Sequence, residues 1–153
     1  MTAGGVELKT GDALLYRGEG LVSRLIRLKT GAAVDHVEIY IGNGMTVAAR
    51  KRNGARIYRA IDDGPPRVLR PTVPVDIHSA MQWFGRCADG QDYDAFEVFT
   101  NMPSSGKWSC GELAVRWYQA GGLGLMSNAT APGAFLRSPL FQEIRPCSHE
   151  TTN

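Results

Sequence analysis

Three cysteines and three histidines are the residues of this chain best suited to nucleophilic or metal chemistry. Cys87, Cys110 and Cys147 form no close-spaced pair, and an odd number suits a reducing compartment better than a disulfide framework. A thiol attacks as thiolate, and its ordinary pKa of ~8.5 falls where the unpaired N–H groups of a helix start, or a nearby histidine, face the sulfur. Cys110 has such a setting: it opens a predicted helix, with Ser109 or Trp108 as the cap and a glycine-containing loop before it that leaves the sulfur exposed. Cys87, near a helix end among Trp83 and Phe84, reads as a small buried hydrophobe, and Cys147 lies in the tail. The bases on offer are His36, His78 and His149. His149 is in the tail, and His78 follows Asp76 in the first turn of a helix as a solvated residue. His36 instead starts an alternating strand with Glu38 and Tyr40 on its own face, and a strand is rigid enough to hold an imidazole for general-base work. Neither the cysteines nor the histidines show the ligand-pair spacing of a zinc site, so no metal or other cofactor is expected.

The elements that must position this pair follow from periodicity. Gly11 to Arg17 reads as a turn feeding a short, partly buried strand, after a polar lead. Leu21, Val22, Leu25, Ile26 and Leu28 recur at helical spacing, with Gly31 as the stop, so their apolar stripe is expected to pack on the core. From His36 the period becomes two, and the turn Gly42-Asn43-Gly44 joins His36–Ile41 to Met45–Arg50 as a hairpin. Asn53-Gly54 leads into Ala55–Arg59, and Arg67–Arg70 follows Gly64-Pro65-Pro66, so the middle of the chain is expected to be an antiparallel meander. Asp76 caps a helix running to about Cys87, Tyr93 to Phe99 reads as a second short helix, and Asn101 to Gly106 as loop. The Cys110 helix ends at Gly121-Gly122. Turns around one short apolar helix or strand complete the chain, with residues from about 146 onward frayed.

In order along nearly the whole chain, five segments resemble the circularly permuted branch of the NlpC-type papain-like superfamily, the YiiX/YebB-like proteins. They are Gly11-Asp12-Ala13-Leu14-Leu15, His36-Val37-Glu38-Ile39-Tyr40-Ile41-Gly42, Tyr93-Asp94 with Phe96, Cys110-Gly111-Glu112-Leu113, and Thr130-Ala131-Pro132-Gly133 with Ser138-Pro139. The resemblance implies an α+β domain over residues 1–153, a permuted papain-like fold in which a small antiparallel sheet or partial barrel packs against helices. It also implies Cys110 as nucleophile and His36 as its base. This chain departs from the family at the third polar residue, which orients the histidine ring: that alignment lands on Ala48-Ala49. Glu38 stands where the family has glycine, and a hairpin turn centred near Asn43 makes it the cross-strand neighbour of Ala48, so it is the candidate orienter. Tyr93 is the candidate hydroxyl beside the oxyanion, with the Cys110 backbone N–H.

The function expected is hydrolysis of an amide, in a peptide or peptidoglycan crosslink, through a thioester on Cys110. The alternatives are a lipid acyltransferase or esterase of the same fold, and a non-catalytic binding or virion-type structural domain, for which Ala48 is the best argument. Composition narrows the partners. With 17 Lys+Arg against 15 Asp+Glu, the charge of +2 is too small and too scattered for a nucleic-acid binder. The run Arg50-Lys51-Arg52 reads as a solvated hairpin end. No stretch approaches the ~18 apolar residues of a membrane span and no export signal begins the chain, so a cytoplasmic protein is expected.

Overall fold

The computed structural model describes residues 1–18, 24, 27–28, 33–60, 66–95, 105–124 and 131–146. It opens with a small hairpin where a polar lead is expected: β1 (Thr2–Ala3) pairs antiparallel with β2 (Val6–Glu7), and Gly4 and Gly5 supply the two positive φ angles of its turn. Five strands follow, β3 (Ala13–Tyr16), β4 (His36–Gly42), β5 (Met45–Arg50), β6 (Gly54–Arg59) and β7 (Arg67–Pro71). The helix α1 (Ile77–Cys87), the two-residue strands β8 (Asp92–Tyr93) and β9 (Lys107–Trp108), and the helix α2 (Cys110–Ala120) come next. A 3-10 helix (Pro132–Arg137) leads into β10 (Phe141–Ile144). The molecule is a mixed α+β protein with a six-stranded sheet, wider than the small sheet expected, in the order β10-β7-β3-β4-β5-β6 with every pairing antiparallel.

Alternation along the strands divides the sheet into two apolar faces. Leu15, Val37, Ile39, Val47 and Leu69 point to the layer that holds Phe84 of α1 and Leu113, Trp117 and Tyr118 of α2. Leu14, Tyr16, Tyr40 and Val68 point the other way and are covered by Val6 and Leu8 from the N-terminal hairpin. The small hairpin is therefore a cover for the second face. β3 is buried on both faces, which explains why Ala13-Leu14-Leu15-Tyr16 reads as a continuous apolar run. Full burial of a side chain the size of Phe84 is worth about 1.5–3 kcal/mol.

β4, β5 and β6 form the expected meander, but β7 does not continue it. β7 crosses to the far side of β3, where Leu69 lies opposite Ala13, and β10 pairs on its other edge. A bidentate ion pair sits at this crossover: Arg70 donates from Nε and Nη2 to the two carboxylate oxygens of buried Asp12, both at 2.8 Å, and the Lys9 N–H donates to the same carboxylate. Tyr118 donates its hydroxyl proton to the Gly11 carbonyl at 2.8 Å, joining α2 to the same turn. The Gly11-Asp12 pair thus holds the sheet to the helix layer.

Other expectations change. Tyr93 lies in β8, paired in parallel with β9; of the rest of the helix expected from Tyr93 to Phe99, Asp94 is described outside any helix or strand and Ala95 in helical conformation, and residues 96–99 lie outside the described residues. Of the helix expected over Leu21–Lys29, Arg24, Arg27 and Leu28 are described and helical, yet Leu28 is 81% exposed and faces away from the core. Cys87 is exposed, because the buried stripe of α1 runs through Ala80 and Phe84 to Ala88 and leaves Cys87 beside it. Cys147, His149, most of the 101–106 loop and the end of the tail lie outside the described residues. Among the described residues no helix is long and apolar enough to cross a membrane.

Candidate functional site

Cys110 is the first residue of α2, and Ser109 is the cap, its hydroxyl accepting from the Glu112 N–H at 3.2 Å. The helix starts here because the loop chain is extended at Ser109 and the following residues place Leu113, Ala114, Trp117 and Tyr118 on one buried stripe. The sulfur is not exposed as the loop composition suggested. Cys110 is 4% exposed and belongs to the core cluster, with its thiol aimed at the Asp35 carbonyl 4.0 Å away. That carbonyl is at the entry to β4, so the start of the helix meets the start of the strand that carries His36.

His36 and Glu38 are two residues apart on β4 and share a face. Glu38 lies opposite Leu14, and the register Ile39↔Val47 and Tyr40↔Thr46 puts Ala48 opposite Glu38 on the other side. The small Ala48 side chain leaves room for what surrounds it. Glu38, fully buried, has both oxygens occupied: Oε1 is 3.0 Å from His36 Nε2 and 2.8 Å from Arg50 Nε, and Oε2 is 2.7 Å from Thr46 Oγ1 and 3.1 Å from Arg50 Nη2. Burial alone raises a carboxyl pKa, but the hydrogen bonds from His36 and Arg50 outweigh it and hold Glu38 below its usual range. As an ionised carboxylate it only accepts, so the proton on the His36 ring sits at Nε2 and donates to Glu38. The other ring nitrogen, Nδ1, is the one left for Cys110.

The ring itself is strongly perturbed. Burial favours the neutral imidazole, yet hydrogen bonds with Cys110 and Glu38, and the negative charge of both, push the pKa up to about 9. His36 is therefore held as an imidazolium at neutral pH, between the Cys110 sulfur on one side and the Glu38 carboxylate on the other.

The sequence reading missed three members of this cluster. Thr46 and Arg50 flank Ala48 at two residues to either side, so period-two alternation on β5 brings both to the face of Glu38. Arg50 is not a solvated hairpin end: besides Glu38 it donates to the Arg59 carbonyl at 2.8 Å, and its guanidinium lies 4.2 Å from the centre of the Tyr58 ring. Asp35, buried before His36, accepts from the Gly18 N–H at 2.8 Å and pairs with Arg27 at 3.3 Å. Of the remaining candidates, His78 is exposed on α1 and paired with Gln82 at 2.8 Å.

A pocket of about 380 Å³ opens beside His36, and half-buried Tyr93 and buried Tyr16 both line it. The structure thus brings His36, Glu38 and Cys110 together and places Tyr93 on the wall of the pocket that His36 also lines. Among the described residues no three His, Cys, Asp or Glu side chains gather to hold a metal ion.

Comparison with known proteins adds the fold and little else. No family profile and no curated protein matches the chain. Among solved structures it is similar to the metalloprotein YiiX of Escherichia coli O157:H7, assigned to DUF1105, with a TM-score of 0.57 and 14% identity over 90% of this chain and 97% of that one. At that identity the likeness is one of architecture: the chain has a YiiX-like α+β fold.

Proposed function

We propose that this chain is a cysteine hydrolase of the permuted papain-like, NlpC-type class, cleaving an amide in a peptide or peptidoglycan crosslink. The observation that supports it best is geometric: His36, at the start of β4, lies 3.0 Å from the buried Glu38 carboxylate, and Cys110, at the start of α2, meets the same strand end at the Asp35 carbonyl. The shared architecture with YiiX supports the fold assignment.

In this reading the thiol proton already resides on His36 Nδ1, and Cys110 Sγ attacks the carbonyl carbon of the substrate as the thiolate of that ion pair, while Glu38 holds the ring by Nε2. The negative charge passes to the carbonyl oxygen, where the Cys110 backbone N–H and the Tyr93 hydroxyl donate. The carbon–nitrogen bond then breaks, His36 returns its proton to the departing amine, and a thioester remains on Cys110. His36 next takes a proton from water as the resulting hydroxide attacks the thioester. The sulfur leaves as thiolate, and a carboxylic acid is released. Glu38 touches no reacting atom and is a positioning residue.

The test is alkylation of the native chain by iodoacetamide, mapped by peptide mass at pH about 6, where an ordinary thiol with pKa ~8.5 is almost wholly protonated. Cys110 is expected to label at least about tenfold faster than exposed Cys87 despite its burial. His36→Ala removes the advantage. Equal rates for the two cysteines, or no change in His36→Ala, would mean the pair has no chemical role, and the domain would then be a binding module.

A further inference from the structure

The pocket beside His36 is far more basic than the chain around it. Over the whole sequence 17 Lys+Arg nearly balance 15 Asp+Glu. The pocket wall instead carries Arg17, Arg50, Lys51 and Arg52 against one acid, Asp35. That acid offers little to a ligand: it is 6% exposed and already neutralised by Arg27 and the Gly18 N–H. Arg50 is likewise spoken for by Glu38. Arg17, Lys51 and Arg52 differ from it, being exposed and, among the described residues, in no ion pair. Lys51 and Arg52 sit in the turn between β5 and β6, and Arg17 directly follows β3, so two separate parts of the sheet aim cations at one opening. Tyr16 and Tyr93 add apolar surface to the same wall, which limits the water that would otherwise screen the charges.

We propose that this pocket receives an anionic group, a carboxylate or a phosphate, on the acyl substrate that Cys110 attacks, with Arg17, Lys51 and Arg52 as the rim that reads its charge. The inference rests on Cys110 being the nucleophile, and adds to that reading the kind of acyl group admitted. The four cations face a single, already paired acid. An acyl group bearing a negative charge is drawn toward His36, and a cationic one is repelled.

Two alkylating agents of nearly equal size separate the two ideas: iodoacetate carries the charge and iodoacetamide does not. Both rates are read at Cys110 by mass mapping of the native chain, with Cys87 as the reference thiol. At low salt the ratio of iodoacetate to iodoacetamide rates is expected to be at least about fivefold higher at Cys110 than at Cys87, since a focused field of one sign raises local counter-ion concentration by ~10-fold or more. The triple variant Arg17→Gln/Lys51→Gln/Arg52→Gln, changed only at exposed positions, should lose most of that excess, as should salt near 1 M, where the screening length is ~3 Å. If the excess survives in the triple variant, the charge comes from His36 and the rim assignment is overturned. A ratio no higher than that of Cys87, with iodoacetamide still fast at Cys110, overturns the inference and leaves the nucleophile standing. Slow iodoacetamide labelling of Cys110 overturns both. Protection at matched ionic strength names the group: glutarate slowing Cys110 marks a carboxylate site, inorganic phosphate a phosphate site, and protection by neither counts against the pocket.

Discussion

Replacing Glu38 by glutamine changes one charge at the centre of the cluster and almost nothing in shape, so its consequences can be worked out in advance. Glu38 touches His36, Thr46 and Arg50 and is fully buried. A charge of opposite sign at hydrogen-bond distance moves a titrating group by about 1–3 pH units. Cys110 ranks ahead of Glu38 among the influences that raise the His36 pKa to about 9, so loss of Glu38 is expected to lower the midpoint by about 1–2 units. Each unit is worth about 1.4 kcal/mol, so about 1–3 kcal/mol of stability is linked to this proton. The sign follows from the direction of the shift. A histidine whose folded pKa lies above its unfolded value of 6.5 contributes fully below pH 6.5 and loses that contribution as pH rises through about 9. Glu38→Gln should therefore be more damaging at pH 6 than at pH 10, by that about 1–3 kcal/mol. A smaller, pH-independent loss remains from the half-buried Arg50 left without its carboxylate. Urea unfolding of wild type and variant at the two pH values measures the difference, and the ring signals of His36 followed by NMR give the midpoint directly. A destabilisation of equal size at both pH values, or an unmoved His36 midpoint, would show that Glu38 fills space without acting on the ring.

Three further outcomes follow from the scaffold. Asp12→Asn breaks the buried pair with Arg70 and is expected to cost about 3 kcal/mol in urea unfolding, somewhat relieved because the Arg70 side chain is 25% exposed. Gly54→Ala should be more severe than an ordinary surface change, by more than about 3 kcal/mol. Its φ is +71°, and a Cβ there would lie 2.0 Å from the Gln91 carbonyl oxygen, so thermal unfolding should show the largest drop of the set. Ser109→Ala removes the α2 cap and should cost about 1 kcal/mol, while also slowing Cys110 alkylation as the first turn loosens.

Local devices were legible in the chain, and long-range ones were not. Asp76 caps α1 through the Ser79 N–H at 3.0 Å, and Asn43 turns the hairpin at φ +52°, because capping and turn chemistry are written in neighbouring residues. The same holds for the pairing of Glu38 with Ala48, which alternation and one turn determine. Strand order is a different kind of information. Nothing near Arg67–Arg70 says that its partners are Ala13–Leu15 and Phe141–Ile144, and the Asp12–Arg70 pair that marks the crossover spans 58 residues. Arg50 illustrates the same limit within the site. In sequence it is the first of three cations, whereas in space it is the only one of them on the inward side of β5, beside a carboxylate twelve residues away. Cys87 shows that apolar neighbours in sequence do not bury a helix residue that stands off the packed stripe.

The meeting of Cys110 with the start of β4 joins residues 75 apart, and that separation bears on how the molecule comes to be. The β4–β5–β6 meander needs only adjacent strands and can form early, as local contacts close cheaply. The thiol meets Asp35 and His36 only where α2 lies against the start of β4. Until that contact forms Cys110 is an ordinary thiol on an unfolded or half-folded chain. Its reactivity at mildly acid pH would thus rise late, in step with the slowest non-local contacts, and a time course of alkylation during refolding would read out the last step of assembly through a single sulfur atom. If Cys110 is the nucleophile proposed above, a chain still searching for its fold carries no active one, so partly folded copies do no premature chemistry on one another.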